Sequence, residues 1–464
     1  MEKILEQAKE YEVVVIESDP LFNNMIDAIE LVKKFIIDNG LIIYGGLAID
    51  YALRLRGDKI YPDDLPPDLD FFSPKNVEHA YQLADLLYTR GYKDSRAINA
   101  MHMETMRVDI GDNHFIADIT YRPKEIFDKL PTLNYNGMKI IHPMIQRADV
   151  HSSLSFPYDN VPNEVIFARW SKDIKRFNLL DKHYPVKLSG DTLPTRPMKI
   201  TADVSKYVVA GFCAYSILYS DYIKSMEAAG TELPVGIIEG KFIASSNEIT
   251  FDTIDQKFEI VHFDLEKCSG ELSLVGSKQY ETYIHVIPER LEGRADFGDI
   301  TVYSTKNRLV STNYIKTDGK TFRVVNAQYL LKHFVAMSFV HKESPKLANT
   351  YLAHYDSLLR MISSYEAAIV STHTTDEAYD ILFKSPLFPS VQTYGNENIS
   401  LSKSVALSYL YHDLDGEPLF VTPRNYYPGR SIPQGRPHPE FTYEDNPFFL
   451  ESGREITADK TDKK

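Results

Sequence analysis

The chain has 464 residues, 43% of them hydrophobic and 25% charged, with a formal net charge of −14 and two cysteines, Cys213 and Cys268. That length suggests two or three domains, and the composition is that of a soluble globular protein with a sizeable core. Two cysteines exclude a disulfide framework, and the lack of about 18 consecutive apolar residues excludes a membrane-spanning helix. The charged first ten residues do not read as a signal peptide, and the acidic balance argues against a general nucleic-acid coat while allowing a local basic groove.

In chain order, residues 21–37 place Leu21, Met25, Ala28, Ile29, Val32, Phe35 and Ile36 at helical spacing, and Asn39-Gly40 ends the pattern as a helix C-cap would. Residues 41–44 read as a short buried strand, broken by Gly45-Gly46 before a helical period resumes over 47–55. A Pro-rich loop, 61–67, leads into a strand over 68–72, and residues 77–90 read as a helix stopped by Gly91. Residues 101–110 and 114–121 look like two strands of a hairpin around Gly111-Asp112-Asn113. Residues 164–180 form an amphipathic helix with Pro162 near its first turn.

Residues 184–198 are rich in proline and polar residues and read as a linker. A helix is expected over 205–226, then short strands over 237–315, then helices over 326–341 and 345–370, together a second α/β unit. From Pro423 onward, proline, glycine, arginine and tyrosine predominate, as in an extended arm.

The chemistry is concentrated in three short stretches. Tyr44-Gly45-Gly46-Leu47-Ala48 lies at a strand-to-helix turn. Two glycines there allow backbone conformations closed to other residues, and the positive end of the following helix suits an anion such as a triphosphate. The bland alternative is a tight turn with no ligand. Asp68-Leu69-Asp70 puts two carboxylates on one side of a strand with Leu69 on the other. Such a pair repels itself unless a cation sits between, and oxygen ligands of this kind suit Mg²⁺ or Mn²⁺. Two solvated acids at a loop end is the competing reading.

The third stretch runs from His114 to Tyr121. Its alternation sets Asp118 opposite Phe115, Ala117, Ile119 and Tyr121. An acid in so apolar a strand is costly unless paired or metal-bound, whereas Asp109 sits beside the turn and needs no special role. Phosphoryl transfer needs in-line positioning and charge compensation, and three carboxylates can hold two cations roughly 3.5–4 Å apart. Asp68, Asp70 and Asp118 are therefore the candidate catalytic and metal-binding residues, and Gly45 and Gly46 the candidate triphosphate turn.

On residues 164–180, Val165, Ile166, Trp170, Ile174, Phe177 and Leu180 form an apolar stripe, with Arg169, Lys172 and Arg176 recurring on another face. Lys172 and Arg176 are candidates for phosphate contact; a solvated face is the plainer reading. The run from Arg424 to Arg430, with Arg436 and His438, mixes cations and rings as single-stranded nucleic-acid sites do, but an arm packed on its own domain or across a dimer is preferred. The scattered histidines show no zinc-site spacing, and no Gly-x4-Gly-Lys-Ser/Thr loop is present.

Gly45-Gly46, Asp68-x-Asp70 and a distant Asp together resemble the polymerase-β-like nucleotidyltransferase superfamily. More narrowly, the chain resembles the poly(A) polymerase catalytic subunits of poxviruses and other large cytoplasmic DNA viruses, the giant-virus members above all. The narrower likeness rests on residues 44–48, 67–72 and 149–158 and on 167–180 with Arg169-Trp170 and Lys175-Arg176-Phe177.

The resemblance implies an α/β nucleotidyltransferase fold with a mixed sheet, in a catalytic domain over 1–183. A linker over 184–200, a second, degenerate nucleotidyltransferase-like domain over 201–390 and an arm over 391–464 would follow. It implies polyadenylation: AMP from ATP is added to single-stranded RNA 3′ ends, with two Mg²⁺ or Mn²⁺ ions at Asp68, Asp70 and Asp118. It further implies a homodimer, no membrane association, and a place in the host cytoplasm or the virion. Poxvirus proteins carry an additional domain before the catalytic one, where only a short segment precedes Gly45 here, so that domain's processivity partner is not carried over. The alternatives are a transferase with another acceptor and an inactive nucleotidyltransferase-like scaffold.

Overall fold

The computed structural model describes residues 22–63, 68–100, 105–111, 114–122, 124–155, 166–193, 207–209, 211–239, 249–252, 258–263, 293–297, 300–305, 312–317, 319–340, 342, 344–388 and 425–429. The chain divides into two compact units, residues 1–146 with 418–464, and residues 147–417.

In the first unit, α1 (Phe22–Asp38) buries Ala28, Ile29, Val32, Phe35 and Ile36 along one stripe. It ends at Gly40, whose φ of +62° lets Leu41 N–H donate back to the Ile36 carbonyl at 2.9 Å. Next come β1 (Ile42–Ile43), α2 (Gly45–Arg54), β2 (Leu69–Ser73), α3 (Asn76–Thr89), β3 (Arg96–Asn99), β4 (Thr105–Asp109) and β5 (Phe115–Tyr121). A short α4 (Lys124–Phe127), the hairpin β6 (Thr132–Tyr135) and β7 (Met138–Ile141), and α5 (Pro143–Ser155) complete the series.

The seven strands form one mixed sheet in the order β3-β4-β5-β2-β1-β7-β6. Here β2 runs antiparallel to β1 and parallel to β5, while β7 runs parallel to β1. The hairpin β6–β7 turns on Asn136-Gly137, both at positive φ, a pair that is a strong hairpin signal in the sequence itself.

The second unit holds the rest of α5 with α6 (Ile166–His183), β8 (Tyr207–Val209), α7 (Gly211–Ala228), β9 (Ile249–Asp252), β10 (Phe258–Phe263), β11 (Gly293–Phe297) and β12 (Ile300–Thr305). The hairpin β13 (Thr312–Thr317) and β14 (Lys320–Val325) follows, then α8 (Ala327–Val340), α9 (Pro345–Thr372) and α10 (Thr375–Lys384). Its sheet order is β11-β12-β10-β9-β8-β14-β13.

The centre of this sheet repeats the first. A short strand is followed by a glycine at positive φ that opens a helix: Gly45 at +69° before α2, and Gly211 at +64° before α7. Each short strand has an antiparallel neighbour on one side (β2, β9) and, on the other, the second strand of a hairpin running parallel to it (β7, β14). The units differ one strand further out, where β5 runs parallel to β2 but β10 runs antiparallel to β9.

Side chains tie residues 147–193 to the helices of the second unit. Arg147, 1% exposed, donates to Asp181 at 2.7 Å, to the Tyr184 carbonyl at 2.6 Å and to the Tyr355 hydroxyl at 3.1 Å. His151 meets the Tyr355 hydroxyl and Gln328 at 2.9 and 2.8 Å. The Ser189 and Leu193 amides donate to Asn349 and Thr350 of α9. These bonds join α5, α6 and residues 184–193 to α8 and α9.

Burial lowers the His151 imidazole to about 3 and that of His354 to about 4, so both are neutral in the folded unit. The unfolded chain takes up these protons near pH 6.5, so the stability they contribute is whole above that pH and declines as pH falls toward 4. Denaturant unfolding from pH 7 down to pH 4 should show that decline, with both imidazoles still neutral by NMR at pH 5.

Candidate active site

The site is built where β2, β5 and β4 lie side by side. Leu69, Ala117 and Val108 pair across the three strands and are fully buried, which turns their neighbours to the opposite face. On that face two consecutive rows cross the sheet. The first is Asp70–Asp118–Arg107 and the second Phe72–Thr120–Thr105.

Arg107 forks onto Asp118, donating from Nε to Oδ1 at 2.7 Å and from Nη2 to Oδ2 at 2.5 Å. These bonds hold the Arg107 guanidinium above its ordinary pKa against the effect of burial, and the charges of Asp118, Asp68 and Asp70 act in the same direction. Its plane lies over the Phe115 ring, 4.5 Å from the centroid. Asp68 precedes β2 and is exposed, Asp70 is half-buried, and Asp118 is buried.

The turn after β1 meets this row. Tyr44 N–H donates to the Asp70 carbonyl at 2.9 Å. A Cβ on Gly45 would lie 2.7 Å from Asp70 Oδ2, so glycine is required there both by the backbone angle and by the carboxylate in front of it. The Tyr44 ring stacks on Phe72 at 4.1 Å, and its hydroxyl is 2.7 Å from Thr120 Oγ1, itself 2.8 Å from Thr105 Oγ1. Burial, then the charge of Asp70, pushes the Tyr44 phenol well above its ordinary pKa, so it is neutral and acts as a structural anchor. Gly46 is buried in the first turn of α2, whose positive end opens beside Asp70.

The structure thus brings Asp70 and Asp118 into one row beside the Gly45 turn, with Asp68 close enough for its charge to reach Arg107. Among the described residues no three His, Cys, Asp or Glu side chains stand close enough to grip one cation. Each oxygen of Asp118 accepts one hydrogen bond from Arg107. The donor set, carboxylate oxygens only, nevertheless fits a hard divalent cation, and a guanidinium already occupies the cationic position at Asp118.

Asp109, the rival acid, is fully buried and committed. It accepts from Arg96 Nε at 2.7 Å and from the Gly111 amide at 3.1 Å. Arg107 is the residue that sequence reasoning missed. The register shifts by one residue between Val108 and Asp109, and only that bulge sets Arg107 opposite Asp118 instead of Ala117.

Lys172 and Arg176 lie on α6 in the second unit. Lys172 is exposed, whereas the Arg176 side chain is 16% exposed and stands 3.8 Å from the buried Asp173. The expected apolar stripe is corrected here: Ile174 is 42% exposed, while Asp173 turns inward and accepts from Ser153 at 2.8 Å. The side chains of Arg169 and Trp170 lie outside the described residues, as do Arg424, Arg430, Arg436 and His438.

Residues 425–429 of the arm pack on the first unit. Tyr426 exchanges two backbone hydrogen bonds with Ala97 of edge strand β3, stacks on Tyr81 and donates to Asp85 at 2.7 Å. A cleft of about 560 Å³ between α1, α2 and the β6–β7 turn includes none of the three acids, and its cations Lys33, Lys34 and Arg54 are already paired with acids.

Residues 30–160 match the family model described as poly(A) polymerase catalytic subunit. A poly(A) polymerase catalytic subunit of African swine fever virus is 33% identical over 97% of this chain and 96% of its own length. The chain belongs to the poly(A) polymerase catalytic subunit family. A further relative of that description, from Acanthamoeba polyphaga mimivirus, is 30% identical over 38% of this chain and 30% of its own. The fold is also that of the Megavirus polyadenylate synthase, with a TM-score of 0.59 at 18% identity, covering 88% of this chain and 80% of that one.

This is therefore an enzyme family, and the mixed seven-stranded sheet is its nucleotidyltransferase-like fold. Within the second unit the carboxylate positions are lost. By register from the positive-φ glycine, Ile249 stands where Asp70 stands in the first unit, with His262 beside it in place of Asp118. No helix among the described residues is long and apolar enough to cross a membrane.

Gly45→Ala should destabilise by about 1–2 kcal/mol from backbone strain and by a smaller amount from pushing the Asp70 carboxylate aside. Gly57→Ala, at φ +81° with open space around it, carries the strain alone. Urea unfolding of the two variants should therefore differ, with Gly45→Ala the less stable.

Proposed function

We propose that this protein adds AMP from ATP to the 3′ end of single-stranded RNA, releasing pyrophosphate. The observation that carries the reading is the Asp70–Asp118 row in front of the Gly45 turn, in a chain of this family. Asp70 and Asp118, with Asp68, would hold the divalent ions. Two Mg²⁺ or Mn²⁺ ions would make the attacking 3′-hydroxyl more acidic and offset charge on the leaving pyrophosphate.

The chain's own groups do the remainder. The absence of a side chain at Gly45 keeps the space before Asp70 open, and the first turn of α2 offers backbone N–H groups and a positive dipole end to the triphosphate. Tyr44 fixes that turn to the Asp70 backbone and to Thr120, so that carboxylate and anion cradle keep their spacing. Lys172, and Arg176 to a lesser extent, would meet phosphate of the substrate. By the same reading the protein acts on mRNA in the host cytoplasm, as a homodimer.

Incubating the purified protein with labelled ATP, Mg²⁺ or Mn²⁺ and a short RNA primer tests the activity. Asp70→Asn and Asp118→Asn should each lower the rate by about 10²–10³-fold without loss of the fold, since metal-borne charge stabilisation is worth several kcal/mol. Full activity in either variant would exclude the site, and no incorporation by the unaltered protein would favour a scaffold.

Lys172→Ala with Arg176→Ala should raise the KM for ATP or RNA by about fivefold, the loss expected for partly exposed phosphate contacts. Steady-state kinetics in both substrates measures it, and an unchanged KM would remove these residues from the substrate path.

A further inference from the structure

Arg107 holds both oxygens of Asp118, the acid that the proposed function assigns to a divalent cation. A carboxylate whose two oxygens accept a forked guanidinium has spent its strongest lone-pair directions. A divalent cation brought to the same carboxylate would also face the positive charge of Arg107 at close range. The two occupants therefore compete.

The arginine has further reason to sit there. Asp68, Asp70 and Asp118 gather three negative charges around it, and all three act on the guanidinium. The Phe115 ring supports the guanidinium from one side, and β4 delivers it through the bulge at Val108/Asp109. A strand irregularity that sets one side chain opposite one acid re-aims that side chain specifically.

We propose that Arg107 is a resident counter-cation that keeps Asp118 aimed at the site in the cation-free protein and must release at least one of its oxygens when the site is loaded. Arg107 is then a positioning residue that acts through Asp118 and sets how tightly the site takes a divalent ion. The exchange makes and breaks no covalent bond. The guanidinium gives up one or both N–H···O contacts and keeps its proton. This inference rests on the metal-site reading above, and the test is arranged so that the two fail separately.

Mn²⁺ uptake by the full chain without nucleotide, followed by loss of the free-ion EPR signal, gives an affinity independent of turnover. Arg107→Gln removes the competing charge and should tighten Mn²⁺ binding by about tenfold, the equivalent of one charge-assisted hydrogen bond. Arg107→Lys keeps the charge without the fork and should fall between the two. Without metal, Arg107→Gln should unfold at lower urea than the unaltered protein, and saturating Mn²⁺ should close that gap.

An Mn²⁺ affinity in both Arg107→Gln and Arg107→Lys that equals or falls below that of the unaltered protein would overturn the inference. If Asp70→Asn and Asp118→Asn abolish uptake while the Arg107 variants leave affinity unchanged, the counter-cation role falls and the metal site stands. If both Asp variants keep full uptake, the metal site falls and the inference with it.

Discussion

Two carboxylates on adjacent strands, in register and on the same face, repel each other, and the surroundings of Asp70 and Asp118 are shaped by that repulsion. Arg107 answers it at one end of the row by forking onto Asp118. At the other end the chain turns through Gly45, which brings backbone and no side chain up to Asp70. A neutral Tyr44, stacked on Phe72 and bonded to Thr120, pins the turn so that neither end shifts independently. The opposite face of the same strands is Leu69, Ala117 and Val108, packed without exposure, so the row has a rigid floor.

The second unit shows the same scaffold without that constraint. Its short strand, positive-φ glycine, helix and parallel hairpin strand repeat the centre of the first sheet. At the corresponding register positions it carries Ile249 and His262. There β10 runs antiparallel to its neighbour where β5 runs parallel, and the acids paired across the two strands, Asp252 and Glu259, lie three residues along from Ile249 and His262. Family membership attaches to the whole chain, while the row of Asp70 and Asp118 in front of a positive-φ glycine is found in the first sheet, with Ile249 and His262 at the matching positions of the second.

Much of the first unit could be read from the residues. The stripe of α1, its Asn39-Gly40 stop, the strand–glycine–helix turn and the Asp-x-Asp strand are local signals with a fixed period, and the folded elements fall within a few residues of them. Asn136-Gly137 was an equally local signal for the β6–β7 hairpin and passed unread. Preference for Asp118 over Asp109 was also available, because an acid in an apolar strand needs a partner. The partner's identity was not. It depends on a one-residue bulge that has no signature in composition or spacing. On α6 the expected stripe holds at Phe177, which packs on His151, and at the buried Leu180, but Asp173 turns inward to Ser153 and Ile174 faces out.

The sequence by itself determined the residue types of the site, since carboxylates at i and i+2 of a strand and paired glycines at a turn are properties of the local chain. It also determined the α/β class, through the alternation of helical and strand periods. Tertiary structure decided that β2 lies beside β5, hence that Asp70 meets Asp118. It also decided that residues 147–193 belong with the second unit, through the buried hydrogen bonds of Arg147 and His151. Pairings between residues tens or hundreds of positions apart are set by packing of the whole chain, and no window of sequence contains them.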